Sequence, residues 1–123
     1  MDALNRIVFE HVGRAVQARQ AQAEADGAAL FAIDAINLFQ GGLAALCGVT
    51  VGVLAQEPVR LRRIMQRDGI DADYARMRIR AQEPDAFYRA RCGYILENDG
   101  DSPEAFWLRA NALLDTLTKE NAT

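Results

Sequence analysis

The sequence predicts an α/β fold in which a short parallel sheet of about three strands is flanked by helices. Apolar, nearly uncharged runs stand at Ala28–Asp34, Val49–Ala55 and Tyr94–Leu96. Helix-spaced segments with recognisable starts and stops separate them. Runs that are apolar on both faces suit strands covered by helices on each side, which is the setting of parallel sheets. The chain has 123 residues, 50% of them apolar, which suits one domain over 1–123 and argues against disorder.

The elements follow in order. From Leu4 to Asp26 the chain is rich in Ala, Gln and Arg, with Leu4, Val8, Val12 and Ala15 on one face and Gly27 as a stop. Ala28–Asp34 reads as a buried strand ending in a carboxylate. Gly42 to Cys47 reads as a short helix or turn, and Val49–Ala55 as a second buried strand. The 22 residues from Ala35 to Gln56 carry no charge, a length that could span a bilayer. Four glycines with Asn37, Gln40 and Thr50 interrupt it, so two buried elements joined by a turn are expected there.

Pro58 opens a helix that runs to about Asp68, where Gly69 ends it. Asp71 can cap a helix over about Ala72–Gln82; Pro84 stops it and starts another through Cys92. Tyr94–Leu96 is followed by a turn at Asn98-Asp99-Gly100. Ser102-Pro103-Glu104 starts the last helix, whose buried stripe is Phe106, Ala110, Leu113, Leu114 and Leu117. The final residues, Glu120 to Thr123, are expected to fray.

Composition excludes several function classes. A net charge of −3 and an isoelectric point near 5.1 argue against a dedicated nucleic-acid binder. No basic-then-apolar leader stands at the N-terminus, and no membrane partner is expected. Cys47 and Cys92 make no disulfide framework, so a reducing, cytoplasmic setting is expected. With one histidine, His11, there is no metal-ligand spacing.

Charge is nevertheless segregated. Residues 60–91 hold nine arginines, no lysine and five acids, a net +4, against −7 for the remaining chain. Arg60, Arg63 and Arg67 fall on one helix face, and Arg76 and Arg80 repeat the spacing. Guanidinium forks suit phosphate oxygens because they stay charged and donate paired hydrogen bonds. A solvated helix face laced with salt bridges to the intervening acids is the alternative.

The ordered blocks Asp34-Ala-Ile-Asn-Leu-Phe-Gln-Gly-Gly-Leu43, Val49–Ala55, Arg60-Leu-Arg-Arg-Ile-Met-Gln-Arg-Asp-Gly-Ile70, Ala75-Arg-Met-Arg-Ile-Arg-Ala-Gln82 and Tyr94-Ile-Leu-Glu-Asn-Asp-Gly100 resemble the dephospho-CoA kinase family. The resemblance implies part of a phosphate-loop kinase-like, three-layer α/β fold. It implies transfer of the ATP γ-phosphate to the 3′-hydroxyl of dephospho-CoA, with ATP and Mg2+ required. It also implies a helical lid over about residues 58–92. By the same resemblance Arg67 is the catalytic lid arginine. Arg63, Arg78, Gln82, Asn98 and Gly100 are then nucleotide-binding, and Asp34 is on the substrate side; as a residue read locally, Asp34 caps the turn that follows it.

The sequence departs from the family pattern in two places. Gln40 stands where the family has a glutamate. No G-x-x-x-x-G-K-[ST] occurs, the sole lysine is Lys119, and the Asp-Ala-Asp segment that the family has at the beginning of its domain is missing, Asp71-Ala-Asp73 standing instead at the start of a later helix. The chain therefore resembles the C-terminal portion of such a kinase and is expected to be inactive alone, with no cofactor bound tightly. A non-catalytic nucleotide- or anion-binding module and a purely structural domain remain alternatives. In the family's sheet the strand bearing the phosphate loop lies between those resembling Ala28–Asp34 and Val49–Ala55. Its absence leaves apolar surface open, so a homodimer is expected through the first helix and the region around Phe31 to Leu54.

Overall fold

The computed structural model describes residues 3–100 and 102–121. The chain divides into two compact units, Met1–Gly48 with Thr118–Thr123, and Val49–Leu117.

The first unit is built on helix α1 (Ala3–Ala25), which Gly27 ends with a left-handed φ of 79°. The stripe expected to be buried is not: Leu4, Val8 and Val12 are 69%, 46% and 40% exposed. The better-covered positions are Phe9, Gly13, Val16, Gln20 and Ala23, a helical stripe rotated from the expected one. Phe9 fixes that rotation. A Cβ at Gly41 would lie 3.1 Å from the Phe9 ring and 3.0 Å from the Asn37 carbonyl oxygen, so the ring and the carbonyl would have to shift by a few tenths of an ångström to admit one. After α1, residues 28–35 form no strand, a correction to the expected element at Ala28–Asp34; Leu30 and Phe31 are 43% and 38% exposed. Among the described residues no neighbouring strand offers this run a ladder, and an apolar run without backbone partners is left irregular. Leu43–Leu46 is one 3-10 turn, where a short helix or turn was expected, and Leu43 is buried.

The second unit is the α/β part. Strand β1 (Val51–Leu54) pairs in parallel with β2 (Tyr94–Glu97), Val51 opposite Tyr94 and Leu54 opposite Glu97. The sheet has two strands rather than three among the described residues. Along β1 burial alternates: Gly52 and Leu54 are covered, whereas Val51 and Val53 are 37% and 55% exposed. Burial on both faces, expected from the unbroken apolar run, holds on one face only.

Three helices connect the strands: α2 (Glu57–Asp68), α3 (Ala72–Arg80) and α4 (Asp85–Arg91). Their ends are those the punctuation predicts. Pro58 sits in the first turn of α2, and Gly69, at φ 65°, donates its N–H to the Met65 carbonyl at 2.9 Å. The Asp71 side chain accepts from the Tyr74 N–H at 2.8 Å to cap α3, whose Ala75 and Ile79 are buried. Helix α5 (Pro103–Asn121) begins with the Ser102 hydroxyl accepting from the Ala105 N–H at 3.4 Å. Leu117 is buried and Phe106, Ala110 and Leu113 are partly covered, but Leu114 is 48% exposed. Fraying of residues 122–123 lies outside the described residues, and α5 extends through Asn121. No helix of the described residues is long and apolar enough to cross a membrane.

Gly69 is the hinge of the α2–α3 pair. A Gly69→Ala chain is expected to lose about 1 kcal/mol in urea unfolding, because an L side chain is strained in the left-handed region; Gly69→Asn should lose less.

Candidate functional site

The chain leaves both parallel strands at the same end of the sheet, where loops of open α/β sheets gather around ligands. From β1 it passes through Gln56 into α2, and from β2 through Asn98, Asp99 and Gly100. These two exits are tied together. The Asp99 carboxylate accepts from the Gln56 N–H at 2.6 Å, and the Asn98 N–H donates to the Leu54 carbonyl at 2.7 Å. Arg63, projecting from the face of α2 that the spacing predicts, donates to the Asn98 carbonyl at 2.6 Å and to the Gly100 carbonyl at 3.0 Å. A charged fork on two carbonyls holds the turn's shape. Three of the residues expected at a nucleotide site, Arg63, Asn98 and Gly100, are thus brought together, with Arg63 acting on the turn itself.

One turn earlier on α2, Arg60 donates to the Gln82 side-chain carbonyl at 2.5 Å and stands 3.9 Å from the Asp85 carboxylate. Arg60 links the start of α2 to the segment after α3, and it orients Gln82. Further along, Asp68 gathers Arg67 and Arg78. Arg67 forks onto it, Nε to Oδ1 at 2.9 Å and Nη2 to Oδ2 at 3.0 Å, while Arg78 Nη1 also donates to Oδ2. Arg78 additionally lies over the Tyr74 ring, 5.0 Å from its centroid. The hydrogen bonds from Arg67 hold the Asp68 carboxyl below the usual carboxylate range, and the same contact raises the Arg67 guanidinium.

The remaining expected residue, Asp34, belongs to the other unit. It is exposed in the irregular segment 28–35, and its carboxylate accepts no hydrogen bond from the following turn among the described residues. Burial raises both thiols, Cys47 and Cys92, which keeps them protonated and poorly nucleophilic at neutral pH. Among the described residues no group of three or more His, Cys, Asp and Glu side chains could hold a metal ion. A magnesium ion carried on nucleotide phosphates needs only one or two protein carboxylates, so it requires no such cage.

Sequence reasoning placed Arg60 on the arginine face without naming its partners, and gave no individual role to Asp68, Tyr74 or Asp99. Asp68 and Asp99 were visible inside quoted motifs, but which arginine or amide each would meet depends on the path of the crossover. Replacing Arg63 by Ala is expected to loosen the turn. Amide exchange at Gln56 and Asn98 should speed by about tenfold, matching the loss of about 1.5 kcal/mol for hydrogen bonds from a charged donor; the Arg63→Lys chain should recover part of the protection.

Comparison with known proteins covers most of the chain. A family model described as dephospho-CoA kinase matches residues 1–104. The dephospho-CoA kinase of Salinibacter ruber is 31% identical over 114 residues, covering 87% of this chain and 57% of that protein. That of Anaeromyxobacter dehalogenans is 35% identical over 114 residues, covering 93% and 54%. The crystal structure of TT1252 from Thermus thermophilus superposes with a TM-score of 0.56 at 30% identity, covering 94% of this chain and 65% of that one. The chain spans about half the length of the curated relatives it matches. With the sequence blocks, the parallel strand pair and the family model in agreement, this chain belongs to the dephospho-CoA kinase family.

Proposed function

We propose that these 123 residues supply the arginine lid and the nucleotide-side turn of a cytoplasmic dephospho-CoA kinase, with the lid over about residues 58–92. The nucleotide is ATP with Mg2+, and the acceptor is the 3′-hydroxyl of dephospho-CoA. The observation that carries this reading is the gathering of Arg60, Arg63, Gln82 and the turn 98–100 where the chain leaves the parallel strands. Phosphoryl transfer rests on positioning and charge neutralisation, which guanidinium groups in this place can provide. In this reading Arg67 meets the phosphates, Arg78 and Gln82 line the lid, and Asn98 and Gly100 border the base. Asp34 serves the acceptor side. The sequence holds no G-x-x-x-x-G-K-[ST] loop, so by themselves these residues bind nucleotide weakly and do not turn it over.

A second reading rests on its own observation. Arg67 and Arg78 pair with Asp68, Arg76 with Asp73 and Arg89 with Glu97, so the arginine face could serve ion pairs alone. Calorimetric titration with ATP and with dephospho-CoA separates the two. In the kinase reading both bind, and Arg67→Ala weakens ATP by about tenfold through loss of a charge-assisted contact. Equal ATP affinity before and after the substitution favours the ion-pair reading. Neither chain is expected to consume ATP in the presence of dephospho-CoA.

The same proposal includes a homodimer. Leu4, Ile7, Val8 and Val12 expose an apolar stripe on α1, and Val51 and Val53 expose one on β1. Sedimentation at micromolar concentration is expected to give a dimer; a 13.6 kDa species alone would reject it.

A further inference from the structure

Asp68 occupies an unfavourable place for a carboxylate. It is the last residue of α2, at the negative end of the helix dipole, where basic side chains are preferred. Its side chain caps nothing. What holds it is a pair of guanidinium groups: the Arg67 fork on both carboxylate oxygens and Arg78 on Oδ2. The Asp68 side chain is 25% exposed, while Arg67 and Arg78 remain 72% and 42% exposed, so the arginines are reachable and the carboxylate is the covered partner. One fork and a second guanidinium converging on two oxygens is a geometry by which arginines take a phosphate. With two cations on one anion the cluster keeps a net positive charge, and an incoming ligand with more negative charge than a carboxylate is favoured over it.

We propose that Asp68 is an internal competitor for phosphate: its carboxylate occupies the oxygen positions that a polyphosphate takes on Arg67 and Arg78, and must be displaced for that ligand to bind. This rests on the reading of Arg67 and Arg78 as phosphate ligands and adds what gates them. The consequence is selectivity by charge density. A singly charged carboxylate or a monophosphate gains little by replacing an anion already tethered in place. A triphosphate brings several adjacent charges and can hold both arginines at once. The two lid arginines then stay engaged by Asp68 until a polyphosphate arrives.

The test uses inorganic tripolyphosphate and inorganic phosphate as probes, titrated calorimetrically into the full chain and two variants. Asp68→Asn removes the competitor while keeping the side-chain shape, and it relieves the unfavourable dipole contact, so α2 should remain folded. Asp73→Asn makes the same change in net charge at a residue that is 96% exposed and pairs with Arg76 at 3.4 Å. Asp68→Asn is expected to tighten tripolyphosphate by about fivefold and to narrow its preference over inorganic phosphate, whereas Asp73→Asn should change affinity by less than about twofold. Equal effects of the two variants, weaker binding in Asp68→Asn, or no tripolyphosphate binding by that variant would each overturn the proposal. The nucleotide reading fails differently, by ATP binding no more tightly than tripolyphosphate to the unaltered chain.

Discussion

Parallel pairing of β1 with β2 is the constraint on which the unit from Val49 to Leu117 depends. Parallel strands cannot be joined by a tight turn, so a long crossover must carry the chain back. That crossover is α2, α3 and α4, and it contains all nine arginines of residues 60–91. Parallel pairing also decides which loops meet. The chain leaves β1 toward α2 and leaves β2 toward α5 at the same end of the sheet; antiparallel strands would send those exits to opposite ends. Only then can Asp99 reach the Gln56 amide and Arg63 reach the carbonyls of Asn98 and Gly100. The arginine face and the turn are therefore neighbours because of strand direction.

What was legible in the sequence divides along local and non-local causes. The bounds of α2 were readable because Pro58 and Gly69 act on their own backbone, and the cap on α3 because Asp71 reaches only three residues ahead. The arginine face of α2 was readable from spacing alone. Ala28–Asp34 was misread because a strand is a pairing, and an apolar run states a preference without naming a partner. The stripe on α1 was misread because Leu4, Val8 and Val12 and the alternative Phe9, Gly13 and Val16 are both helical spacings. Phe9 on the covered stripe lies against Gly41, 32 residues away in sequence, a contact that local spacing does not announce. At the candidate site the family motifs named Arg63, Asn98 and Gly100 without saying that the arginine serves the turn.

The β1 strand makes the same point energetically. An unbroken apolar run predicts cover on both faces, yet Val51 and Val53 remain open while Gly52 and Leu54 are covered. Each valine left in water forgoes part of the roughly 1.5–3 kcal/mol that full burial contributes. β1 also has β2 on one edge alone among the described residues, which leaves the backbone groups of its other edge without a ladder. Both features belong to a strand whose composition is suited to a sheet interior, in a sheet with two strands. The apolar run is thus better matched to a larger assembly than to the cover present around it.

The arginines raise the opposite question, since stability does not explain them. Arg60, Arg67, Arg76, Arg78 and Arg89 all meet carboxylates, but those partners, Glu97 apart, are already counted in the +4 of residues 60–91, so the crossover keeps a net positive charge. Exposed ion pairs of this kind contribute little to folding, about 0–1 kcal/mol each, because water and salt screen them. Lysine would serve such pairs nearly as well, yet none occurs in this stretch. Arginine differs where a planar fork must grip two oxygens, as Arg63 grips two carbonyls and Arg67 a carboxylate. Those grips fall into two kinds. Arg63 is held by carbonyls that belong to the backbone and cannot be exchanged without unmaking the turn. Arg67 and Arg78 share one side-chain carboxylate, which can rotate away without changing the backbone. The fixed grip shapes the place where the strands end, and the replaceable one leaves two cations available to an anion that binds better than Asp68.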